Sequence, residues 1–364
     1  MIDAFKAVLK YAVDHKSSDI HVSAGGPFRI RHRGDLLPVP GSPTLKPADT
    51  AAIAAEIAVA ARKVPAESAA DFVQKLTELD CSYSLAGVSR FRVNVCSQRG
   101  SISIVLRTIA EVIPTFEHLG LPAVLAQIAF EERGLVLLTG TTGSGKSSTL
   151  AAMVGYINRL RSKKIITIED PIEFLHKDEK SNVIQRELGG DTASFDTALR
   201  AALRQDPDII MIGEMRDRTT IDIALKAAET GHLVFSTVHT TDAPRTIARL
   251  IAVFDAAEQS VVRQRLSESL RAVVSQRLIP RADGNGRVLA AEIMRNTATI
   301  QDCIADPEKT SGIPELLAEG REQYGMQTFD QHLMELYKGG QISLEVAKAG
   351  ATSPADFERN LQFQ

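Results

Sequence analysis

A glycine-rich octapeptide in the middle of the chain restricts the fold more than any other sequence feature. It reads Gly140-Thr-Thr-Gly143-Ser144-Gly145-Lys146-Ser147. A short apolar run, 135–139, precedes it, and a helix-compatible run, 148–158, follows it. A loop of this pattern between a strand and a helix binds nucleotide phosphates, because its N–H groups and the positive end of the helix converge on phosphate oxygens.

The loop therefore predicts ATP and Mg²⁺ as ligands. Lys146 is expected to reach the outer phosphates, and the Ser147 hydroxyl to coordinate Mg²⁺. A glycine-rich turn without a ligand is the alternative, and the flanking strand and helix disfavour it. The predicted nucleotide-binding residues are Gly140, Thr141, Thr142, Gly143, Ser144, Gly145, Lys146, Ser147 and Ser148.

Four short apolar runs alternate with helical stretches around this loop. They cover residues 134–139, 164–168, 208–212 and 233–238. Buried strands separated by helices predict a parallel α/β sheet, in which the carboxyl ends of the strands share one ligand-binding edge. The chain beyond residue 255 is predicted to be mainly helical.

Carboxylates and a histidine follow the predicted strands at that edge. Glu173, Glu214 and His239 are therefore expected to converge near the γ-phosphate. The usual Asp-Glu pair is absent, because Gly213 precedes Glu214. Metal ligation is accordingly assigned to Ser147 and to waters held by Glu214, with the 169–173 cluster as a further candidate. The attacking water is assigned to Glu173, with exchange of the two glutamate roles as the alternative.

The remaining polar residues of this region carry weaker signals. His239 ends a predicted strand and is expected to sense the γ-phosphate, whereas a catalytic and a structural role are both open for His232. Glu169 or Asp170 alone could equally be a helix cap or a solvated charge.

The region before the phosphate loop has a different pattern. An amphipathic helix is predicted over residues 2–15, followed by a small hairpin around Arg33-Gly34-Asp35 and three strands at about 81–86, 89–97 and 101–108. These elements predict a small α+β domain.

The last two of these strands place like charges together. A two-residue turn at Arg99-Gly100 pairs Val93 with Leu106 and sets Arg92 opposite Arg107. Directly opposed like charges are destabilising unless an anion lies between them. Arg92 and Arg107 are therefore predicted to be arginine fingers for the nucleotide of a neighbouring subunit, and two solvated surface residues are the alternative.

Composition excludes several classes of protein. The 364 residues carry 42 Lys and Arg against 45 Asp and Glu, a net charge of −3, which argues against coating nucleic acid by bulk charge. No apolar run approaches the roughly 18 residues of a membrane span. Cys81, Cys96 and Cys303 are far apart and form no Cys-x-x-Cys pair, which disfavours zinc and suits a reducing compartment.

The order of these features resembles the PilT-type ATPases of the secretion ATPase superfamily, over nearly the whole chain. The matching segments, besides the phosphate loop, are Ser18-Asp-Ile-His21, Ser89-Arg-Phe-Arg-Val-Asn94, Ile168-Glu-Asp-Pro-Ile-Glu173, 198–208, Gly213-Glu-Met-Arg-Asp217 and Ala228-Glu-Thr-Gly-His232.

The resemblance implies a PAS-like domain over 1–113, a linker over 114–122 and a RecA-like ATPase domain over 123–364. It implies a homohexamer that drives type IV pilus retraction, on the cytoplasmic side of the inner membrane at the pilus base, docked on the pilus platform protein. Retraction is favoured over extension or secretion because neither an additional N-terminal adaptor domain nor a tetracysteine zinc site is present.

One segment departs from the family pattern. PilT proteins typically carry Ala-Ile-Arg-Asn-Leu-Ile-Arg-Glu near the C-terminus, where this chain has Thr299-Ile-Gln301-Asp-Cys303-Ile-Ala305-Asp306. Both arginines are lost. This opens the alternative of an accessory ATPase like PilU, which depends on a paralogous retraction ATPase.

Two alternatives come from other functional classes. A RecA-like DNA translocase is disfavoured by the near-neutral charge and the 5% aromatic content, because single-strand binding uses aromatic platforms in basic grooves. A non-enzymatic ring subunit is disfavoured by the complete phosphate loop with Glu173 and Glu214. Neither nucleic acid nor an integral membrane segment is expected.

Overall fold

The computed structural model describes residues 1–109 and 112–362; residues 110, 111, 363 and 364, inside the predicted ranges 1–113 and 123–364, lie outside the described residues. The described chain forms two compact units. The first unit also takes in two short segments from later in the chain, which lie inside the predicted ATPase domain, 123–364. The first unit holds Met1–Val112, Asp170–Leu175 and Glu187–Ala193, and the second holds Ile113–Glu169, His176–Arg186 and Ser194–Gln364.

The strands of the described residues are β1 (Asp19–Ser23), β2 (Arg29–His32), β3 (Asp35–Pro38), β4 (Glu78–Leu85), β5 (Ser89–Gln98), β6 (Ser101–Thr108), β7 (Gly134–Thr139), β8 (Lys164–Glu169), β9 (Asn182–Glu187), β10 (Ile209–Ile212), β11 (Leu233–Val238), β12 (Leu270–Pro280) and β13 (Arg287–Arg295). The helices are α1 (Ile2–Asp14), α2 (Pro47–Ala60), α3 (Ala69–Lys75), α4 (Phe116–Leu119), α5 (Val124–Ala129), α6 (Lys146–Leu160), α7 (Phe195–Ala202), α8 (Arg218–Glu229), α9 (Ala243–Ala252), α10 (Gln259–Ser269), α11 (Ala298–Ala305), α12 (Ile313–Glu319), α13 (Arg321–Tyr324), α14 (Phe329–Lys338), α15 (Leu344–Gly350) and α16 (Pro354–Gln362).

The first unit is built on an antiparallel sheet of order β3-β2-β1-β6-β5-β4. Alternation decides its faces: Phe91, Val93 and Val95 of β5 are buried, whereas Arg92 and Asn94 between them are exposed. The buried face shares one core with apolar residues of α1, α2 and α3. The predicted helix over 2–15 and the predicted small hairpin are both confirmed.

The β5–β6 hairpin has the register that the sequence predicts. Gln98 pairs with Ser101, so Arg99 and Gly100 form the two-residue turn. Both turn residues have positive φ, 47° and 74°, as a turn that follows the twist of an antiparallel pair requires. Arg92 therefore lies directly opposite Arg107.

The second unit is built on a sheet of order β13-β12-β7-β11-β10-β8-β9. The pairs β12–β7, β7–β11, β11–β10 and β10–β8 are parallel, and β12–β13 is antiparallel. The four predicted apolar runs are β7, β8, β10 and β11, and the predicted parallel sheet is confirmed. In the parts of the chain that the structure describes, no helix is long and apolar enough to cross a membrane.

The prediction that the chain beyond residue 255 is mainly helical was wrong for its first part, which contains β12 and β13. Both strands are buried on both faces for most of their length, so neither has the alternation that marks a half-buried strand. After Asn296 the described chain is helical, as predicted.

The segment 114–122, predicted as a linker, is part of the second unit. It contains α4, whose Phe116 is buried and stacks on Tyr156 of α6 at a centroid separation of 4.8 Å.

Candidate active site

The phosphate loop leaves β7 after Thr139 and enters α6 at Lys146. Gly140, Gly143 and Gly145 have φ of 142°, 79° and 93°, which side chains rarely adopt. A Cβ on Gly140 would also lie 2.4 Å from the Ser144 hydroxyl oxygen and 2.5 Å from the Gln276 carbonyl oxygen. Glycine is therefore required at Gly140 by both conformation and space.

The polar groups of the loop fit a phosphate ligand. Lys146 is buried, and its Nζ donates to the carbonyl oxygens of Gly140 and Thr141 at 2.9 Å each, so the ammonium is held over the loop. The hydroxyl of Ser144 is buried without a hydrogen-bond partner, which is unusual for a protein interior. A phosphate oxygen in the loop would give that hydroxyl a partner. The loop thus has the hydrogen-bond donors that nucleotide phosphates require.

Glu214 and His239 come together at the same edge of the sheet. The chain after β10 is fixed to its neighbours, because Gly213 N donates to Ile168 O at 2.8 Å and Met215 N donates to Thr237 O at 3.2 Å. Glu214 Oε2 lies 3.6 Å from His239 Nε2 and 2.7 Å from Arg216 Nε.

The electrostatics of His239 tie it to the phosphate loop. Partial burial lowers the pKa of His239, the charges of Lys146 and Arg216 lower it further, and Glu214 opposes them. The imidazole is therefore neutral at neutral pH, when one ring nitrogen can donate while the other accepts. Such a group suits the detection of a nearby phosphate oxygen.

His232 lies elsewhere. It precedes β11, whereas His239 follows it, and six residues of strand separate the two by about 20 Å. The His232 Nδ1 lies 3.0 Å from the Ala227 carbonyl oxygen and its backbone N donates to the same oxygen, which closes the end of α8. Within one chain, His232 stabilises the end of α8 and does not lie at the phosphate loop.

Glu173 lies in the segment Asp170–Leu175, which belongs to the first unit. That segment is anchored by Glu187, whose Oε2 accepts from Ile172 N at 3.1 Å and pairs with Arg90 at 3.2 Å. Glu173 itself is exposed. Its approach to the phosphate loop stays a prediction. Glu169, by contrast, is buried and accepts from Thr167 and Gln185, so it has a structural role.

Arg92 and Arg107 also belong to the first unit, and Arg107 has an anionic partner in its own chain. Arg107 Nε donates to Asp19 Oδ1 at 2.9 Å, and Asp19 is paired with Arg107 across β1 and β6. Burial would raise the pKa of Asp19, but hydrogen bonds from Ser18 and Arg107 hold it below its ordinary value. Arg107 therefore has a structural partner in Asp19, although its side chain is exposed like that of Arg92 on the same face. The finger role of both stays a prediction.

Comparison with known proteins identifies the family. The profile of the family described as type II/IV secretion system protein matches residues 1–351. The chain belongs to this family.

Individual relatives agree with that assignment. The type IV pilus retractation ATPase PilT of Pseudomonas aeruginosa is 45% identical over 350 residues, 96% of this chain and 98% of that protein. The type IV pilus ATPase PilU of the same organism is 41% identical over 352 residues, 97% and 90% of the two chains. The crystal structure of the pilus retraction motor PilT with bound ADP matches with a TM-score of 0.84 at 42% identity, over 97% of this chain and 98% of that one. The predicted family, fold class and enzyme class, an ATPase, are confirmed.

Two residues of this family member's site were missed by sequence reasoning. Arg216 pairs with Glu214, and its position two residues later in Gly213-Glu-Met-Arg-Asp217 was an available signal. Gln276 closes on Gly140 through its carbonyl oxygen and donates from Nε2 to Thr149 Oγ1 of α6 at 2.8 Å. No signal pointed to Gln276, because β12 itself was not predicted.

We predict opposite binding behaviour for two variants of this site. Lys146→Ala removes the ammonium that faces the phosphates, so both nucleotide binding and hydrolysis should be lost. Glu214→Gln keeps the shape but removes the charge, so binding should persist while turnover falls roughly 100-fold or more. Fluorescent-nucleotide titration and phosphate release measure the two effects. Glu132→Gln, which removes an exposed carboxylate paired with Arg161 and Lys163, is the matched control. Wild-type turnover in Glu214→Gln would refute the assignment.

Proposed function

We propose that this chain is an ATP-hydrolysing motor that drives type IV pilus retraction. The observation that carries the proposal is the grouping of Lys146, Glu214, Arg216 and His239 at one edge of the parallel sheet. The retraction role is supported by the 45% sequence identity to PilT of Pseudomonas aeruginosa over nearly the full length of both chains.

The proposed mechanism assigns one task to each group. The loop N–H groups and Lys146 bind the β- and γ-phosphates, and Ser147 and Glu214 hold Mg²⁺, directly or through water. When bound, Mg²⁺ neutralises charge on the phosphate oxygens. Glu173 orients the attacking water. His239 forms a hydrogen bond with the γ-phosphate, so that release of the phosphate removes a contact at the end of β11. Exchange of the roles of Glu173 and Glu214 remains the alternative.

The remaining assignments concern assembly. The active form is a homohexamer in which Arg92 and Arg107 reach the nucleotide of a neighbour, with a PAS-like domain over 1–113 and a RecA-like domain over 123–364. The ring works at the cytoplasmic face of the inner membrane, on the pilus platform protein. His232, a structural residue within its own chain, is not needed in this scheme.

The ring proposal can be tested by mixing subunits. Arg92→Ala is the clean finger variant, because Arg107→Ala would also leave the buried carboxylate of Asp19 without its partner. Arg92→Ala alone should lower turnover by roughly 10³ or more. Mixing it with inactive Glu214→Gln should restore activity, because some interfaces would then contain one intact Arg92 and one intact Glu214. A fully active monomer, or a mixture no more active than its parts, would contradict the ring.

The retraction proposal can be tested in cells that lack every other retraction ATPase. Wild-type protein should support twitching and measurable retraction force, and Glu214→Gln should support neither. Normal ATPase activity without retraction would instead favour an accessory motor like PilU, to which this chain is 41% identical.

The segment 299–306 is the feature of the chain that bears on the second candidate function, an accessory motor like PilU. Gln301 of α11 lines a polar cavity of about 530 Å³ together with Glu131, Glu268, Arg271 and Arg295. The end of α11 is already bound, since Arg263 Nη1 donates to Ile304 O at 2.8 Å. An arginine at 301 would line the same cavity as the carboxylates of Glu131 and Glu268, and Glu131 already pairs with Arg295 at 3.1 Å.

Restoring the two arginines should therefore affect retraction force and ATP hydrolysis to different extents. Gln301→Arg with Ala305→Arg should change solo retraction much more than bulk ATP hydrolysis, because the segment lies outside the catalytic groups. The control is Ala318→Arg with Gln323→Arg, which adds the same charges to exposed helical positions. Retraction force and ATPase rate are compared in the same background. If the wild type retracts pili strongly on its own and the variant does the same, the loss of the two arginines has no effect on retraction.

A further inference from the structure

A row of paired residues crosses the sheet of the second unit at its catalytic edge. Val238 of β11 pairs with Thr139 of β7, Thr139 pairs with Ser275 of β12, and Ser275 pairs with Glu292 of β13. Directly paired residues in a sheet share a face. Val238 and Thr139 are the last strand residues before His239 and the phosphate loop. A buried carboxylate thus lies in line with the origins of both catalytic loops.

Glu292 makes two hydrogen bonds, which lead to different elements. Its Oε1 accepts from Ser275 Oγ at 3.1 Å and from the backbone N of Ala243 at 2.8 Å, and the residue is only 7% exposed. Ala243 is the first residue of α9, a helix of ten residues. Glu292 therefore fastens the start of α9 to the sheet, where a negative group also interacts favourably with the helix dipole.

The loop that carries His239 is consequently fixed at both ends. One end is Val238 in the sheet, and the other is Ala243 on Glu292, with Thr240, Thr241 and Asp242 as the residues between His239 and the helix. Any shift of the start of α9 relative to β13 has to be taken up within this short loop. The position of the start of α9 therefore influences the distance between His239 and Glu214.

The Ser275 side of the link leads to the phosphate loop. The next residue, Gln276, approaches Gly140 through its carbonyl oxygen and bonds Thr149 of α6 through its amide. One carboxylate thus bonds the strand that backs the phosphate loop and the helix that follows the histidine loop.

We propose that Glu292 is a positioning residue for ATP hydrolysis, which keeps the His239 loop aligned with the phosphate loop by holding the start of α9. The proposal rests on the proposed function, since it takes His239 to act on the γ-phosphate. Glu292 touches no substrate and acts through Ala243 and Ser275.

The charge state of Glu292 adds a dependence on pH. Burial raises the pKa of Glu292 to about 7, and the charge of Asp242, which precedes α9, raises it as well; the bonds from Ala243 and Ser275 and the charge of Arg277 oppose them. An ionised acceptor makes the stronger bond to the helix N–H, so the hold on α9 strengthens as pH rises through about 7. Folding stability changes in the opposite sense. Because the folded pKa lies above the ordinary value of 4.5, the stabilising contribution is complete below that value and is lost as pH rises through about 7.

Two substitutions separate the hydrogen bond from the titration. Glu292→Ala removes both, so kcat should fall roughly 10- to 100-fold from misplacement of the histidine loop, with KM for ATP nearly unchanged. Glu292→Gln keeps an acceptor for Ala243 but cannot ionise. It should retain much of kcat, and so rescue the alanine variant in part, but it should lack the rise in kcat between about pH 6 and 8 that we expect of the wild type.

The control is Gln327→Ala. Gln327 is equally buried and donates from Nε2 to the carbonyl oxygen of Ala291, which lies on β13 beside Glu292. Among the described residues its side chain has no bond to α9, so Gln327→Ala tests general destabilisation of β13. It should keep the wild-type pH profile. His239→Gln combined with Glu292→Ala should be no slower than His239→Gln alone, because Glu292 acts through the histidine.

Each outcome decides the proposal. A wild-type kcat and pH profile in Glu292→Ala, additive losses in the double variant, or an equal drop in kcat in Gln327→Ala would overturn it. Should Glu292→Ala fail to fold, the pH profile of Glu292→Gln alone decides: an unchanged rise overturns the proposal, and a lost rise supports it. Absence of ATPase activity in the wild type would count against the proposed function instead.

Discussion

The parallel pairing of β7 with β11, and of β11 with β10, is the constraint on which the candidate site depends. Thr139 and Val238 are paired residues at the ends of their strands, so the phosphate loop and the His239 loop begin at the same level of the sheet. β10 is held in the same way, which brings Glu214 within reach of His239. Groups that are far apart in sequence converge because backbone hydrogen bonds fix where each strand ends.

Polar groups that take no part in the reaction stabilise the same edge of the sheet. The carbonyl oxygen of Gln276 lies against Gly140 of the phosphate loop, and two carbonyl oxygens of that loop hold the Lys146 ammonium in place. Glu292 joins β13 to α9. Catalysis by electrostatic stabilisation requires groups that are already in position before the reaction, and buried hydrogen bonds supply that order. In the first unit Asp19 plays a comparable part, since it neutralises Arg107 and so allows two arginines to face each other across a hairpin.

The sequence predicted those features that depend on local pattern. The register of the β5–β6 hairpin followed from alternation and from the position of Gly100, and the parallel sheet followed from four apolar runs between helices. Features that depend on burial over both faces or on distant partners were not predictable. β12 has no alternation, and the partners of Glu292 lie 17 and 49 residues away in the chain. The opposite placement of His232 and His239 depends on strand direction, which the spacing of seven residues does not reveal.

The account is tested most directly by an experimental structure of the full-length protein with Mg²⁺ and a non-hydrolysable ATP analogue. It predicts that Lys146 Nζ leaves the carbonyl oxygens of Gly140 and Thr141 for the phosphates, and that His239 lies within hydrogen-bond distance of the γ-phosphate. Glu292 should still hold Ala243. A nucleotide bound away from the phosphate loop, or a His239 remote from the γ-phosphate while Glu292 keeps its bond to α9, would contradict it.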